Sequence, residues 1–146
     1  MTEELKIIIN KLEHEIQLVQ ETGEQDEFME NVNEIRDELE RTENNFDAIE
    51  SILELIERSP DIDYGGPGPI AHFMESHYKK GYEELLLKSI DRKPTEYTLY
   101  LLHRLINDGA NPNRIVYLDL MKKISLSEEY PQNIILNAKE SLADFQ

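Results

Sequence analysis

Apolar residues recur at intervals of three and four along nearly the whole chain, and no segment shows the sustained apolar–polar alternation of a β-strand. This spacing places apolar side chains on one side of a helix, so the sequence predicts an all-α fold. The first helix is expected between Thr2, a good N-cap, and Gly23, a good C-cap. Its expected apolar stripe is Leu5, Ile8, Ile9, Leu12, Ile16 and Val19.

Proline and glycine divide the pattern into about eight helices. Ser59-Pro60 ends the third helix, and the Gly/Pro-rich segment 61–69 cannot continue it. Asn111-Pro112 is read as a cap with proline at the first helical position. The expected helices lie at about 3–22, 24–41, 45–58, a short one from 70, 80–92, 94–108, one from 112 and one from 131.

The later helices also show apolar stripes that predict the core. Tyr82 and Tyr97 are expected within these stripes, whereas Tyr64 in the loop and Tyr100 off its stripe are better candidates for an interface. The expected core positions include Phe28, Val32, Ile35, Leu39, Phe46, Ile49, Ile52, Leu53, Ile56, Leu85, Leu86, Ile90, Leu101, Leu102, Leu105, Ile106, Ile115, Leu118, Met121, Ile124, Ile134, Ile135, Ala138 and Leu142.

The short connections predict helices stacked in antiparallel pairs. Pairs of about 40 residues are the unit of HEAT- and armadillo-like solenoids. No internal repeat is visible, so both a HEAT/armadillo-like solenoid and an irregular helical bundle are compatible with the pattern. At 146 residues, one domain over 1–146 is expected, with acidic N-terminal helices in 1–60 and the Gly/Pro loop with scaffold helices in 61–146.

Negative charge is concentrated in the first part of the chain. Residues 1–63 hold 20 Asp and Glu against 5 Lys and Arg, a net of −15, whereas residues 64–146 hold 11 against 10. Like charges four residues apart cost a helix roughly 0.2–0.5 kcal/mol per pair. Such residues are ordinarily a solvated helix face, but the shortage of cations favours a surface for a cationic partner. The residues at helical spacing are Glu27, Glu30, Glu34 and Asp37, then Glu43, Asp47, Glu50, Glu54 and Glu57; together with Tyr64 they are the predicted partner-binding residues.

The same charge excludes several classes of function. A net of −16 argues against binding nucleic acid or an anionic membrane surface. The N-terminus does not resemble a signal peptide, and no run of 18 apolar residues predicts a membrane-spanning helix. The absence of cysteine excludes disulfides and thiolate metal sites. A cytoplasmic protein is expected; the oligomeric state is left open.

Metal sites and cofactors are not predicted. His72 and Glu75 would share a helix face near His77, but a di-iron site needs two Glu-x-x-His units and further glutamates. A calcium loop counted from Asp61 would need a glutamate at its twelfth position, which is His72. The more ordinary role for His72 is a hydrogen bond to the Gly/Pro loop.

Catalytic residues are not predicted either. The glycines at 65–68 precede a helix but lack the Gly-Lys-Ser/Thr of a phosphate loop. No Gly-x-Ser-x-Gly motif occurs, and Ser51, Ser59, Ser76 and Ser89 have no base at a telling spacing. The chain is therefore not expected to be an enzyme.

Four segments resemble a group of small bacterial proteins, the immunity proteins of polymorphic and contact-dependent toxin systems. They are GPGPIAHFME at 66–75, GYEELL at 81–86, SIDRKPT at 89–95 and LLHRLIN at 101–107, and the similarity covers about residues 61–109. The resemblance implies a cytoplasmic, non-catalytic protein that binds a cognate toxin domain tightly. It also implies that the shared motif specifies the scaffold, with the partner-binding surface elsewhere.

The leading hypothesis is thus an immunity protein that neutralises a basic toxin domain, such as a nuclease, through its acidic helices. The second hypothesis is a HEAT-like adaptor that binds a peptide or helix through the second half of the chain, without a toxin partner. The third is a metalloprotein or enzyme centred on His72, Glu75 and His77.

Overall fold

The computed structural model describes residues 1–145, and across these residues the fold is all-α, as predicted, with no strand. Eight α-helices and one 3₁₀ turn (Asn45–Asp47) follow one another along the chain. The helices are α1 (Glu3–Thr22), α2 (Gln25–Glu40), α3 (Ala48–Arg58), α4 (Gly68–Glu75), α5 (Tyr82–Arg92), α6 (Glu96–Ile106), α7 (Arg114–Leu126) and α8 (Gln132–Ala143).

The helix ends are sharpest where the sequence supplies capping residues. Thr2 accepts a hydrogen bond from the Leu5 amide at 3.2 Å, and Gly23 ends α1 in the left-handed conformation at φ 71°. At α6 the Thr95 and Thr98 side chains each accept a hydrogen bond from the other residue's amide. The predicted starts of α1 and α6 are therefore confirmed.

Three helices begin later than the sequence predicted. Helix α3 starts at Ala48 rather than near Asn45, because Asn45–Asp47 form a 3₁₀ turn. Before α5, Lys79 at φ 64° and Gly81 at φ 111° hold left-handed conformations that a helix cannot include, so α5 starts at Tyr82. Before α7, the Asn111 side chain accepts a hydrogen bond from the Asn113 amide at 2.8 Å. This local turn occupies the residues expected to form the first helical turn, and α7 begins at Arg114.

The helices group into two compact units. Unit 1 comprises Met1–Ser89, and unit 2 begins at Ile90. Within unit 1, α1 packs against α2 and α3, and α2 packs against α4. The predicted stripes of α1 and α2 are buried in full, and in α3 Ile49, Ile52, Leu53 and Ile56 are buried as expected. Within each unit, packed helix pairs are compatible with a helical bundle. One domain over the whole chain stays a prediction.

In unit 2, α6, α7 and α8 pack against one another. The predicted core face of α7 is partly wrong. Ile115 is 71% exposed, whereas the helix buries Tyr117, Met121 and Ile124. These three buried positions are separated by four and three residues, and Ile115 lies on nearly the opposite side of the helix because each residue advances by about 100°.

Candidate protein-interaction surface

Four carboxylates form an exposed row on α2. Glu27, Glu30, Glu34 and Asp37 lie on the side of the helix opposite its buried stripe. We call these four residues the α2 row. The stripe holds α2 against α1 and α4, and the row lies on the exposed side of the helix. Two of its members, Glu27 and Glu34, also line cavities beside α1. The predicted exposure of all four side chains is confirmed.

A second set of exposed carboxylates runs from the 3₁₀ turn into α3. Asp47 belongs to the turn, and Glu50 and Glu54 lie on the exposed side of α3. We call these three residues the α3 row. Glu43 is also exposed but lies in the connection after α2, so it does not continue the helical spacing.

The 3₁₀ turn that carries Asp47 is held by its neighbours within unit 1. The Asn45 side-chain amide donates to the Leu39 carbonyl at 3.0 Å, at the end of α2. The Asn45 oxygen is 3.0 Å from His77 Nε2, which therefore donates the hydrogen bond. The Phe46 ring meets the His77 ring edge-on at 5.4 Å. These contacts fix the position from which the α3 row starts.

His77 is thus committed to a structural role. Its ring also contacts Phe73 at 5.7 Å between centroids. Burial lowers the pKa of His77 below its usual value, and the nearby positive charge of Lys80 lowers that pKa further. The neutral imidazole is the form that this packing favours.

Glu57 does not belong to the exposed surface, so its assignment as a partner-binding residue is corrected. It is 9% exposed, and the hydroxyl of the fully buried Ser89 donates to its carboxylate at 2.7 Å. On a helix, the step from Glu54 to Glu57 turns the side chain by about 60° round the axis. That rotation carries Glu57 from the exposed face into contact with α5.

Tyr64 is likewise not a surface residue. It is 1% exposed, its hydroxyl donates to the Ser59 carbonyl at 2.6 Å, and its ring meets Phe28 edge-on. Burial raises the pKa of this hydroxyl. Tyr64 therefore anchors the Gly/Pro loop onto the core of unit 1, and the interface role predicted for it is wrong. Tyr100, the other tyrosine candidate, is half-exposed and stacks on Tyr97.

The cations of the N-terminal helices are engaged in local ion pairs. Lys11 Nζ lies 2.9 Å from Glu38, and Arg36 lies 3.3 Å from Asp37 and 3.8 Å from Glu40. Exposed pairs of this kind contribute about 0–1 kcal/mol each. Residues 1–89 hold 23 Asp and Glu against 8 Lys and Arg, so acidic side chains outnumber basic ones in unit 1 by 15.

A groove runs along the antiparallel pair of α1 and α2. Its largest part is a cavity of about 560 Å³ that includes Ile7, Lys11, Glu34 and Glu38 in its lining. A cavity of about 310 Å³ continues from Ile7 and Lys11 toward the start of α1. A third, of about 170 Å³, continues from Glu15 toward the end of α1. The first cavity shares lining residues with each of the other two, and we call the three together the α1–α2 groove.

The three residues considered for a metal site have different environments and contacts. His72 is exposed on α4, Glu75 is half-buried at the end of that helix, and His77 contacts Asn45 and two phenylalanine rings. Among residues 1–145, no group of three His, Asp or Glu side chains is arranged to hold a metal ion.

Unit 2 contains a serine–histidine pair that the sequence did not suggest. His103 Nδ1 lies 2.6 Å from Ser141 Oγ, and His103 Nε2 lies 3.6 Å from Asp144. The backbone of Ser141 is within α8, where amides bond along the helix, so it does not offer the paired donors of an oxyanion hole. The 38 residues between Ser141 and His103 leave no spacing signal in the sequence.

Comparisons of the chain with protein-family models, curated proteins and solved structures find no match. Over residues 1–145, none of the helices combines the length and the apolar character that crossing a membrane requires. The interpretation of this surface therefore depends on its own geometry and charge.

Proposed function

We propose that this chain is an immunity protein that binds a basic toxin domain, such as a nuclease, in the bacterial cytoplasm. The binding surface consists of the α2 row, the α3 row and Glu43. The observation that carries the proposal is the exposure of these eight carboxylates on a unit with too few cations to neutralise them.

The location of the resembling segments supports this division of roles. Segment 66–75 forms the end of the loop and α4, where Ile70, Phe73 and Met74 are buried. Segment 101–107 lies in α6 with Leu101 and Leu102 buried. These segments supply core packing, and the acidic rows lie outside them. A shared scaffold with a separate partner surface is what the resemblance to immunity proteins implies.

The rows would act first on the rate of encounter. A concentration of one charge sign attracts an oppositely charged partner and raises association rate constants about 10–1000-fold, an effect that salt screens. Exposed ion pairs at the rim of an interface add little affinity by themselves. Tight neutralisation of a toxin therefore also needs apolar contacts that are buried on binding.

A second candidate function is an adaptor without a toxin partner. Its supporting observation is the exposure of large apolar side chains on α7, where Ile115 and Leu126 are 71% and 80% exposed. Asp119 and Lys122 lie between them on the same side, so the apolar surface is interrupted by charge. The acidic surface of unit 1 is the more extended feature and favours the first candidate.

The test is capture of the protein encoded beside this chain by co-expression and pulldown. The triple variant Asp47→Lys, Glu50→Lys and Glu54→Lys reverses the α3 row. A matched control reverses three exposed carboxylates of unit 2, through Glu128→Lys, Glu129→Lys and Glu140→Lys. Both variants change the net charge by the same amount, so a difference in capture between them depends on where the reversed charges lie.

We expect the α3-row variant to lose at least about tenfold in affinity at low salt and the control to retain capture. Equal capture by both variants and the wild type would contradict the proposal. If capture is lost only when α7 is changed, for example by Ile115→Asn, the result would favour the adaptor function.

A further inference from the structure

The α1–α2 groove is long enough to hold a helix. Its two walls are helices of 20 and 16 residues that run antiparallel. At about 1.5 Å per residue, the walls extend for roughly 24–30 Å, the length of a four- to five-turn helix. Binding of an amphipathic helix in a groove between two helices is a common mode of peptide recognition.

The groove also offers an apolar contact. Ile7 is 54% exposed and lines both the 560 Å³ and the 310 Å³ cavities. Ile35 lines the first of these cavities and Ile8 the second. A single exposed apolar residue is ordinary on a protein surface. Here its side chain lies inside a concave site, so an apolar side chain of a partner could be buried against it.

The charge of the lining determines which partner fits. The three cavities are lined by six glutamates and by two cations, Lys11 and Arg41. The glutamates are Glu4, Glu15, Glu24, Glu27, Glu34 and Glu38. Lysine and arginine side chains of a partner can pack their apolar stems against the groove while their charged ends reach its glutamates.

Two sets of hydrogen bonds cross the groove, and they show that carboxylates of both helices face it. Lys11 Nζ donates to both carboxylate oxygens of Glu38 at 2.9 and 3.2 Å. Asn31 donates to Glu15 at 3.1 Å. The Lys11 side chain is half-exposed, so an incoming cation can replace it at Glu38 without disturbing the buried core.

We propose that the α1–α2 groove binds a basic amphipathic helix of the partner protein, with one apolar side chain on Ile7 and Lys or Arg side chains on the rim glutamates. The proposal rests on the proposed function, since it names the segment of the basic partner that the acidic unit recognises. It supplies the buried apolar contact that the exposed rows lack.

The first experiment uses a synthetic 18-residue helical peptide with leucines on one face and lysines on the other. Two controls are a peptide of the same composition in scrambled order and a peptide with glutamate in place of lysine. Each is titrated into the full chain and followed by amide chemical-shift changes in NMR spectra. We expect the amphipathic basic peptide to shift residues lining the groove and to bind at least about tenfold more tightly than either control.

The second experiment repeats the titration with Ile7→Asn and, as a control, with Ile115→Asn at another exposed isoleucine, which lies in unit 2. We expect Ile7→Asn to weaken binding at least about tenfold and Ile115→Asn to leave it unchanged. Shifts centred on the α3 row or on unit 2, equal binding of the scrambled peptide, or insensitivity to Ile7→Asn would each overturn the groove proposal.

Failure of the groove and failure of the proposed function are distinguishable with the captured partner. If Ile7→Asn leaves capture intact while reversal of the α3 row abolishes it, the acidic inhibitor survives and the groove proposal fails. If neither change affects capture, both proposals fail.

Discussion

Units 1 and 2 are built from the same kind of element and differ in how they distribute charge. Residues 1–89 carry a net of −15, from 23 acidic and 8 basic residues, whereas residues 90–146 carry 8 and 7. Unit 2 nevertheless forms three packed helices with a nearly balanced surface. Helix packing in this chain therefore does not require an acidic excess.

The difference indicates that the carboxylates of unit 1 serve something other than its fold. Its core is apolar and nearly complete along α1 and α2, and the exposed rows lie on the opposite side. Like charges at helical spacing cost stability by a few tenths of a kcal/mol per pair. A basic partner would offset that cost, which the salt dependence of association tests. The predictions that follow first test the packing that presents this surface.

The largest expected effect is the loss of folding stability when a buried side chain of unit 1 is truncated, compared with an exposed side chain of unit 2. Ile52→Ala removes a fully buried side chain and should lower the free energy of unfolding by about 2–5 kcal/mol. Ile115→Ala, at a position that is 71% exposed, should change it by less than about 0.5 kcal/mol. Urea denaturation followed by circular dichroism measures both. Comparable losses would show that the assignment of the α7 face is incorrect.

A backbone test compares glycines of the two units. At Gly81, φ is 111°, and an added Cβ would lie 2.9 Å from the Phe46 ring. Gly81→Ala should therefore cost about 1–3 kcal/mol through strain and displacement of Phe46. Gly109 has no atom within 4 Å of an added Cβ, so Gly109→Ala should have little effect. The thermal midpoints of the two variants are the measurement, and equal midpoints would contradict the described packing of the 3₁₀ turn.

Helix caps provide a smaller comparison. Thr95 is buried and exchanges hydrogen bonds with Thr98, so Thr95→Ala should destabilise unit 2 by about 1–2 kcal/mol. Thr2 is exposed and accepts one bond from the Leu5 amide, so Thr2→Ala should cost about 0.5–1 kcal/mol. Denaturant titration distinguishes the two values. A larger loss for Thr2→Ala would reverse the expected order.

The smallest expected effect is a pH dependence from His77. Because its pKa is lowered in the folded state, the unfolded chain binds more protons as the pH falls. Stability from this group is complete above the unfolded-state pKa of about 6.5 and decreases until the pH passes below the folded-state pKa. His77→Gln, which keeps a donor for Asn45 but does not titrate, should lose less stability between about pH 7.5 and 5.5. Equal pH dependence in both proteins would show that His77 is not responsible.

The sequence predicted those parts of the fold whose signals are local. All of α1 could be anticipated because Thr2, the apolar stripe and Gly23 agree with one another. The start of α7 could not, because the turn formed by Asn111 and Asn113 competes with a helix over the same residues. Ile115 lies outside the core because it is on the side of α7 nearly opposite the buried Tyr117, Met121 and Ile124.

For the candidate surface, too, the sequence predicted what depends on local spacing and missed what depends on tertiary contacts. Helical spacing identified the exposed rows, but it also included Glu57, whose burial depends on Ser89 in a helix 32 residues away. Tyr64 was misassigned because its contact with Phe28 is tertiary. The α1–α2 groove was not anticipated, since it depends on how two helices pack and leaves no motif in either one.

The central claim, that unit 1 carries an acidic surface for a basic partner, is tested most directly by the salt dependence of association. The association rate constant with the protein encoded beside this chain is measured by stopped flow from about 0.01 to 1 M salt. The account predicts a steep decrease with salt for the wild type and the unit 2 control, and a slower, flatter dependence for the Asp47→Lys, Glu50→Lys, Glu54→Lys variant. Indistinguishable salt dependences for all three proteins would contradict it.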